Sequence, residues 1–519
     1  MSSRLFECVE QLIGYGLEHQ LMDELDVEVT RNQLWRKLNI ECDLLTVKAD
    51  TNQVADIYRL LDEMTELAKS LGTPLDYGYE IEMFQAELMS LIMPRNSEVN
   101  RIFWAYHQAS PQFASQYFYD LSNASTYIRM DRVSKNISWK SPSEYGELDI
   151  TINCSKPEKD PKEIALQKNT KPSVYPKCLL CVENAGYSGN INHPARHNHR
   201  IVEMTLANEP WYLQYSPYVY YNEHAIVLCR EHRDMKIDRD TFVRLCDFVD
   251  YLPHYFIGSN ADLHTVGGSI LTHDHYQAGH YEMPMMRAKT IFSHVPESFP
   301  SVRIDVIDWP LTVLKLVSDD RASIEDLSTI ILKQWIDYSD ERVELTAHTF
   351  ERHNTITPIL RKVDGVYEMY LALRNNRKDE RHPDGIFHPH REHHHIKREN
   401  IGLIEVMGLA VLPARLVEEM EEAIDLLVQM VPTGHVDLKR FIASEKVAKH
   451  AEWIATLIPE VEACYADCVK SSSDFASSLD RLLKDGIGRK FGEVLKDAGI
   501  YKRDFEKLKP FFSLCERGK

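Results

Sequence analysis

The residues of this chain that can do chemistry gather in the short stretch Gly267–Gln277. Its apolar, β-branched start and alternating polar end predict a strand that leaves a small-residue turn. Side chains two residues apart in a strand share a face, so we expect His273, His275 and Gln277 to lie on one side. The paired glycines permit close backbone approach, and with the Ser269 hydroxyl they offer donors to a phosphate. The stretch therefore predicts a phosphate site beside histidines; the plain alternative is two partly buried histidines with ordinary hydrogen bonds.

A Cys-x-x-Cys pair upstream, Cys178 and Cys181, supplies half of a metal site. Two thiolates at this spacing reach one tetrahedral zinc ion from a tight turn. Between this pair and the histidine strand, an apolar strand is predicted to deliver His232 at its far end. With His273 as the fourth ligand the site becomes Cys2His2, and the metal fixes the strand that presents His275 two residues later. The residues thus predict a structural zinc ion and a histidine left free to react.

These motifs, together with Asn260 ahead of the glycines, resemble those of the galactose-1-phosphate uridylyltransferase family of the histidine triad superfamily. The segments Asn192–Asn198 and Asn400–Gly408 are similar to the family's second type, that of Gram-positive bacteria. The resemblance extends from about Tyr127 to Leu416. It implies a histidine-triad-like fold whose sheet is built of two half-domains.

The resemblance also implies a role for each site residue. His275 is expected to be the nucleophile, with its other ring nitrogen donating to a main-chain carbonyl. Gln277 is expected to donate its amide to a phosphate oxygen during catalysis. Asn260, Gly268 and Ser269 are expected to bind the substrate. Whether a second metal is present stays open.

Two features depart from the family's first type. That type has His-Pro-His-Gly-Gln where this chain has His273–Gln277, so a flexible acid, Asp274, replaces a rigid proline. One extra residue separates Ser269 from the histidine pair. The transfer of a role to Ser269 is therefore less direct than the transfer to His275 or Gln277.

The function that the resemblance implies is the transfer of UMP from UDP-glucose to galactose 1-phosphate through a uridylyl-histidine. The residues alone support only a histidine nucleophile beside a phosphate site. Such a site suits equally a dinucleoside-polyphosphate phosphorylase or a nucleotide hydrolase of the same superfamily, and a third alternative is a non-catalytic, zinc-stabilised nucleotide-binding module. UDP-glucose and galactose 1-phosphate are thus the expected partners. The resemblance to the family also implies a homodimer.

Composition excludes several other functions. The 519 residues are 44% hydrophobic, ample for a sizeable core, and 60 basic against 79 acidic residues leave a net charge of -19. Such a charge repels nucleic acid and anionic membranes. Only Cys178 and Cys181 of the 10 cysteines have metal-ligand spacing, which suits a reducing compartment. Because no apolar run can span a bilayer and no signal peptide is visible, the chain is expected in the cytoplasm.

Periodicity predicts an α+β fold, with a mixed or antiparallel sheet core between helical regions. The second half echoes the first in its order of helical and alternating stretches, but too weakly to establish an internal repeat from the residues, so the division into two halves follows the family. The predicted domains are a helical N-terminal region, a first histidine-triad-like half with the metal site and nucleophile, a second half, and a helical C-terminal region, at residues 1–120, 121–300, 301–415 and 416–519.

Local patterns predict several elements. Leu5, Val9 and Leu12 give the first helix one buried face. Asp238 is expected to cap a helix. Asp364–Gly365 between two alternating runs predicts a β-hairpin.

Alternation also predicts strands at Tyr127–Arg132 and Leu148–Asn153, and aromatic strands at Asn208–Leu213 and Tyr218–Tyr221. A nucleobase can stack on such aromatic side chains. An aromatic core is the commoner outcome, because these residues pack sheets more often than they bind ligands.

Two assignments stay open. In the family an early arginine contacts substrate phosphate, and either Arg129 or Arg132 is its candidate, an ordinary surface charge being the alternative. In the histidine-dense run His388–His395, His393 and His395 resemble the family's second metal-binding pair. Composition alone favours a solvated loop there.

Overall fold

The computed structural model describes residues 2–40, 56–155, 167, 170, 174–268 and 270–517. Ser269, expected to bind substrate, lies outside the described residues. The N-terminal region is helical, as predicted. Its helices are α1 (Ser2–Glu18), α2 (Val27–Lys37), α3 (Ile57–Ser70), α4 (Gly78–Leu91), α5 (Asn96–Ala109), α6 (Pro111–Ala124) and the short α7 (Met130–Val133).

Helix α1 shows why this region folds as helices. It buries Leu5, Val9 and Leu12 on one face, which confirms the predicted stripe. Helix α6 begins at a proline, and the preceding Ser110 side chain accepts from the backbone of Gln112. Both are favourable signals at a helix start, because they satisfy or remove otherwise unpaired backbone donors.

The predicted strand at Tyr127–Arg132 is wrong. The Ile128 N–H donates back to the Ser122 carbonyl at the end of α6 over 3.0 Å, and α7 follows at once. Thr126 has a φ of 57°, which turns the chain back on itself. The apparent alternation therefore comes from a turn that buries Tyr127 and Ile128, not from a pleated strand.

The strands form two sheets. They are β1 (Ile137–Ser143), β2 (Gly146–Asn153), β3 (Val202–Leu206), β4 (Glu209–Tyr215), β5 (Ala225–Cys229), β6 (Phe256–Gly258), β7 (His275–Gly279), β8 (Thr290–His294), β9 (Arg303–Ile307), β10 (Val313–Ser318), β11 (Asn354–Val363), β12 (Val366–Asn375) and β13 (Leu409–Pro413). The smaller sheet has the order β1-β2-β13, with β1 antiparallel and β13 parallel to β2. The larger has ten strands in the order β3-β4-β5-β7-β6-β11-β12-β10-β9-β8, and every pairing is antiparallel.

The ten-stranded sheet consists of two halves with one topology. In each half three consecutive strands are followed by a helix and two more strands, and the fifth strand inserts between the third and the fourth. The connecting helices are α8 (Arg239–Tyr251) and α9 (Arg321–Ile336). The halves meet where β6 pairs with β11, Ile257 lying opposite Leu360. The predicted α+β fold with two half-units is confirmed, whereas the domain boundaries stay predictions.

One face of the large sheet is covered by α8 and α9. Helix α8 is capped by Asp238, as predicted, in a reciprocal pairing with Thr241. It buries Phe242, Leu245 and Val249, which lie on one face at helical spacing. Both helices and the sheet thus enclose one apolar core.

The other face of the sheet differs between the halves. In the second half Ile359, Tyr370 and Ala372 belong to a large core shared with the three-stranded sheet and the C-terminal helices. In the first half the corresponding face carries a small apolar cluster that includes Tyr212 and Leu228, and Phe256 of β6 joins the large core. Polar side chains occupy the remainder of that face around β7.

The other strand predictions had mixed outcomes. The strands predicted at Leu148–Asn153 and Asn208–Leu213 correspond to β2 and β4. Tyr218–Tyr221 is not a strand, because Val219 adopts a φ of 43° and bends the chain. The Asp364–Gly365 hairpin is confirmed, with φ values of 51° and 84° that fit a type I′ turn between β11 and β12.

The C-terminal region is helical, as predicted. After the short α10 (Leu403–Val406), its helices are α11 (Arg415–Met430), α12 (Leu438–Ala443), α13 (Ala451–Ser471), α14 (Phe475–Asp497) and α15 (Phe505–Arg517). Helix α14 approaches β1 at Gly488, where an added Cβ would lie only 1.8 Å from the Ser141 hydroxyl oxygen. In the part of the chain that the structure describes, none of the helices combines the length and apolar character needed to cross a membrane.

Candidate active site and metal centre

Cys178 and Cys181 lie in a tight turn ahead of the large sheet. The Cys181 N–H donates to the Cys178 carbonyl over 3.3 Å. The Asn184 side-chain amide donates to the carbonyls of both cysteines, over 2.9 and 2.8 Å. The Leu180 N–H points at the Cys178 sulfur, 3.3 Å away. This turn holds both sulfurs on one side.

Two histidines meet these sulfurs from the ends of neighbouring strands. His232 follows β5, and its Nδ1 lies 3.2 Å from the Cys181 sulfur. His273 precedes β7, and its Nδ1 lies 3.2 Å from the Cys178 sulfur. The His273 Nε2 bonds the Cys229 carbonyl over 2.8 Å, so it carries the proton and the Nδ1 lone pair faces the sulfurs.

The four side chains fit a tetrahedral metal ion. Their ligand atoms all lie within 4.8 Å of one another. Ordinary zinc–ligand bond lengths place two sulfurs about 3.8 Å apart and a sulfur and a nitrogen about 3.5 Å apart. The two sulfurs are 3.6 Å apart here. The two sulfur–nitrogen separations given above are both 3.2 Å, and the Cys181 sulfur lies 3.8 Å from the His273 Nδ1, so these separations fall on either side of the tetrahedral value. Burial raises the pKa of Cys181 to about 11, so a cation is needed to hold that sulfur as a thiolate.

The strand that presents the next histidine is shorter than predicted. Strand β7 begins at His275, whereas the sequence pattern placed a strand over Gly267–Gln277. The preceding residues are drawn out of the sheet, because the Leu271 carbonyl accepts from the Met235 N–H over 2.8 Å. The chain therefore turns His273 into the metal cluster before it joins the sheet.

His275 is buried with one ring nitrogen committed. Its Nδ1 lies 2.8 Å from the carbonyl of His273 and donates to it. That bond leaves the lone pair on Nε2 free. Burial lowers the pKa of His275 to about 4, so the ring is neutral near pH 7. A neutral imidazole with a fixed tautomer and an unshared lone pair is a competent nucleophile.

Gln277 lies on the same face of β7 as His275, because Tyr276 between them points into the helix-covered core. Its Oε1 lies 3.3 Å from Nε2 of His224. Burial lowers the pKa of His224 to about 4, so this ring is neutral as well. When His224 donates from Nε2, the amide oxygen of Gln277 is occupied and its NH2 group is left for a ligand.

Sequence reasoning missed His224. The signal was present, because His224, Ile226 and Leu228 alternate along one face of β5, and Ile226 pairs with Gln277 in the sheet. His224 stacks on Tyr220, with ring centroids 5.4 Å apart. The strand was interpreted only for the histidine at its far end.

Asn260 and Gly268 hold the loop that leads to β7. The Asn260 side-chain oxygen accepts from the Leu403 N–H over 2.8 Å. A Cβ added to Gly268 would lie 2.7 Å from the Asn260 side-chain nitrogen, so only glycine permits this approach. The Asn400 side chain reaches the Gly267 carbonyl over 3.5 Å. The loop is thereby fixed against the turn at the start of α10.

Comparison with known proteins identifies the family. Two family models match, galactose-1-phosphate uridyl transferase, N-terminal domain, over residues 52–234 and its C-terminal domain over residues 248–440. The galactose-1-phosphate uridylyltransferase of Fusobacterium nucleatum is 46% identical over 498 residues, which are 96% of this chain and 95% of the relative. That of Bacillus subtilis is 42% identical over 510 residues, or 98% and 96%. This chain belongs to the galactose-1-phosphate uridylyltransferase family.

A solved structure matches more distantly. The yeast Ap4A phosphorylase Apa2 has a TM-score of 0.32 and 13% identity, over 59% of this chain and 89% of that chain. The assignment to the uridylyltransferase family rests on the sequence relatives and the two family models alone.

Both arginines proposed from the family resemblance are engaged by carboxylates. Arg129 binds Asp131 through two hydrogen bonds of 2.8 and 2.7 Å. Arg132 pairs with Glu82 over 2.7 Å. Either guanidinium would have to share or exchange its carboxylate in order to bind a phosphate.

The histidine-dense run His388–His395 is folded and largely covered, so the solvated-loop interpretation is wrong. His393 is buried and its Nε2 lies 3.4 Å from Asp497 on α14. His395 bonds His450 across 2.8 Å, and His450 in turn bonds Glu419. The run is covered by helices that follow it by many residues. Among the described residues, only the Cys178 cluster has the geometry of a metal site.

Proposed function

We propose that this chain transfers UMP from UDP-glucose to galactose 1-phosphate, releasing glucose 1-phosphate and UDP-galactose. The observation that carries the proposal is His275, a buried neutral imidazole whose Nδ1 is bonded to the His273 carbonyl and whose Nε2 is free. Family membership supplies the two sugar phosphates as substrates. UDP-glucose and galactose 1-phosphate then use the same nucleophile in turn.

In the first half-reaction Nε2 of His275 attacks the α-phosphorus of UDP-glucose. The bond between that phosphorus and the bridging oxygen breaks, and glucose 1-phosphate leaves with the electron pair. No proton has to be removed first, because the imidazole is neutral. The positive charge that develops on the ring is stabilised by the Nδ1–H bond to the His273 carbonyl.

In the second half-reaction a phosphate oxygen of galactose 1-phosphate attacks the same phosphorus. The phosphorus–nitrogen bond breaks, and neutral His275 is restored together with UDP-galactose. Both half-reactions use one site in alternation, so the kinetics are ping-pong. The second step is chemically the reverse of the first, with galactose 1-phosphate in place of glucose 1-phosphate.

Gln277 is the proposed donor to a nonbridging phosphate oxygen in both steps. Its amide oxygen is held by His224, so its NH2 group can face the substrate without a change of rotamer. A preorganised neutral donor stabilises charge that shifts as phosphorus passes between oxygen and nitrogen. The loop held by Asn260 and Gly268 is the proposed phosphate cradle, to which Ser269 would add its hydroxyl.

The proposed metal is a structural zinc ion held by Cys178, Cys181, His232 and His273. When bound it crosslinks the turn and the two strand ends, which fixes the carbonyl that orients His275. We extend the proposal to a cytoplasmic location, in keeping with free thiols, and to a homodimer, which light scattering of the purified chain would test.

Isotope exchange tests the proposed function. The protein is incubated with UDP-glucose and labelled glucose 1-phosphate in the absence of galactose 1-phosphate. A uridylyl-histidine enzyme moves the label into UDP-glucose. Release of UMP alone would identify a hydrolase, and turnover only of dinucleoside polyphosphates would identify a phosphorylase. Nucleotide binding without any of these reactions would leave a non-catalytic module.

A matched variant makes this test specific. His275→Gly should lose exchange completely, whereas His348→Gly should keep it. His348 is an exposed histidine whose side chain pairs with Asp337 over 2.9 Å. Exchange by the His275→Gly protein at the wild-type rate would overturn the assignment of the nucleophile.

A further inference from the structure

The residue between the two site histidines is not part of the reaction just described. Asp274 is 3% exposed, and its side chain points away from the face that carries His275. Buried carboxylates are rare unless they are paired. Because Asp274 is bonded to both His273 and His275, the partners that hold its side chain also affect the positions of these two histidines. The inference rests on the proposed function.

Two arginines and a second carboxylate surround Asp274. The Arg233 Nε and Nη2 both lie 3.4 Å from the Asp274 Oδ2, and the Arg244 Nη1 lies 4.0 Å from it. Glu209 binds Arg233 with a two-pronged contact of 3.0 and 2.7 Å. Arg244 reaches the same Glu209 over 3.2 Å. The four groups form one cluster, which we call the Asp274 cluster.

The Asp274 cluster draws on three separate elements. Glu209 begins β4, Arg233 follows β5 and Arg244 lies on α8. Both guanidinium groups lie over the ring of Trp211, 5.9 and 5.3 Å from its centroid. The Trp211 ring also stacks on the Tyr276 ring, with centroids 4.9 Å apart. The cluster therefore contacts the residue that follows His275 as well.

The backbone of Asp274 is held as firmly as its side chain. Its N–H donates to the Arg233 carbonyl over 2.8 Å, and its carbonyl accepts from the Cys229 N–H over 3.0 Å. The Cys229 carbonyl accepts from His273. The His273 carbonyl fixes the ring of His275. A displacement of Asp274 would therefore move both histidines. His273 shares the Cys229 backbone with Asp274 as a hydrogen-bond partner, and the His275 ring is bonded to the His273 carbonyl.

We propose that the Asp274 cluster is a positioning device that sets the place of the His275 ring from the back of the sheet. Asp274 is a positioning residue, because its side chain faces Arg233 and Arg244, on the opposite side of the strand from His275, and is not among the candidate metal ligands. A proline at this position would limit backbone movement between the two histidines. The Asp274 cluster has the same effect, because it anchors Asp274 to three separate elements. Reacting atoms misplaced by about 1 Å lose roughly 10²-fold in rate, so the cluster acts on turnover more than on binding.

Asp274→Asn tests the proposal in the complete enzyme. It keeps the shape of the side chain but removes the charge that the two guanidinium groups face. We expect kcat for the isotope exchange to fall by about 10- to 100-fold while KM for UDP-glucose changes by less than about twofold. The values are taken per mole of folded, metal-loaded protein, measured by circular dichroism and bound zinc.

Arg233→Lys is the second variant, which serves also if Asp274→Asn fails to fold. It keeps the positive charge but loses the planar fork that joins Glu209 to Asp274. We expect the same fall in kcat without a change in KM. In the double variant Asp274→Asn with Arg233→Lys, the two losses should be far from additive, because both break one cluster.

Glu368→Gln is the matched control. Glu368 is a half-buried carboxylate on β12, the fifth strand of the other half, and it binds Lys315 over 2.5 Å and Arg361 over 2.7 Å. Its loss should lower thermal stability and leave kcat unchanged, which separates positioning from general destabilisation.

Three results would overturn the proposal. They are a wild-type kcat for Asp274→Asn and Arg233→Lys, a loss of kcat that vanishes once activity is expressed per metal-loaded folded protein, and an equal loss of kcat in Glu368→Gln. Absence of exchange in the wild type would instead overturn the proposed function. The two failures are therefore distinguishable.

Discussion

The two halves of the ten-stranded sheet share one strand order but differ in what their fifth strands carry. In the first half β7 presents His275 and Gln277 on the open face, with the metal cluster at its start. In the second half β12 presents Glu368 and Tyr370, and the Tyr370 hydroxyl donates to Glu368 over 2.9 Å. The same topology supports a candidate reaction site in one half and internal packing in the other.

The difference lies in what covers each face. The second half is closed by the three-stranded sheet and the C-terminal helices, and its carboxylate is neutralised by Lys315 and Arg361. In the first half the cysteine turn packs at the start of β7 and contributes candidate metal ligands. In the second half apolar side chains cover the corresponding face. Chemistry therefore follows the residues that line a face, not the fold itself.

The largest expected effect comes from removing the nucleophile. His275→Gly should lower kcat for UMP transfer by about 10⁴-fold or more, as the loss of a covalent catalyst does. Tyr370→Phe, on the corresponding face of the second half, should retain turnover. Steady-state assays of UDP-galactose formation compare the two. Equal losses of kcat in both variants would contradict the assignment of the reaction to the first half alone.

Removing the proposed phosphate donor should have a smaller effect. Gln277→Ala is expected to slow both half-reactions by about 10²-fold while UDP-glucose binding is largely kept, because a preorganised donor acts mainly on the transition state. Rapid-quench measurement of each half-reaction and calorimetric titration of UDP-glucose check this. A large loss of UDP-glucose binding with unchanged rates would show that Gln277 acts on substrate binding and not on the transition state.

The metal cluster should matter for stability in the first half. Cys181→Ser is expected to lower bound zinc and to lower the melting temperature by at least about 5 °C, because structural zinc contributes folding energy. Cys246→Ser, at a buried thiol of α8 outside the cluster, should destabilise without loss of zinc. Full metal occupancy and unchanged melting of Cys181→Ser would exclude the assigned site.

The smallest effect is expected at the hairpin of the second half. Gly365 has a φ of 84°, which side chains other than glycine adopt at a cost. Gly365→Ala should lower the free energy of unfolding by about 1 kcal/mol and leave kcat unchanged. Urea unfolding followed by fluorescence measures the first quantity. A fall in kcat would show that the second half contributes to the reaction.

The sequence was sufficient where the signal is local. The cysteine spacing, the Asp238 cap and the Asp364–Gly365 turn each depend on a few neighbouring residues, and the structure contains a metal-compatible cluster, a capped helix and a type I′ hairpin at these places. The resemblance supplied the two halves, which the residues did not show, because strand order depends on long-range pairings.

The rest needed three dimensions. Asp274 lies one residue from both histidines, yet its partners Arg233, Arg244 and Glu209 come from elements that the sequence places far apart. The composition of the histidine-dense run predicts a solvated loop, because the helix that buries His393 lies about a hundred residues later. Burial by distant segments leaves no mark in a local pattern.

The most direct measurement of the central claim is intact-protein mass spectrometry after mixing with UDP-glucose alone. We expect the wild-type protein to gain the mass of one uridylyl group, to lose it on addition of galactose 1-phosphate, and to show the modification on His275 after digestion. Gln277→Ala should reach the same adduct more slowly, and His275→Gly should gain none. A wild-type protein without the adduct, or an adduct that persists in His275→Gly, would contradict it.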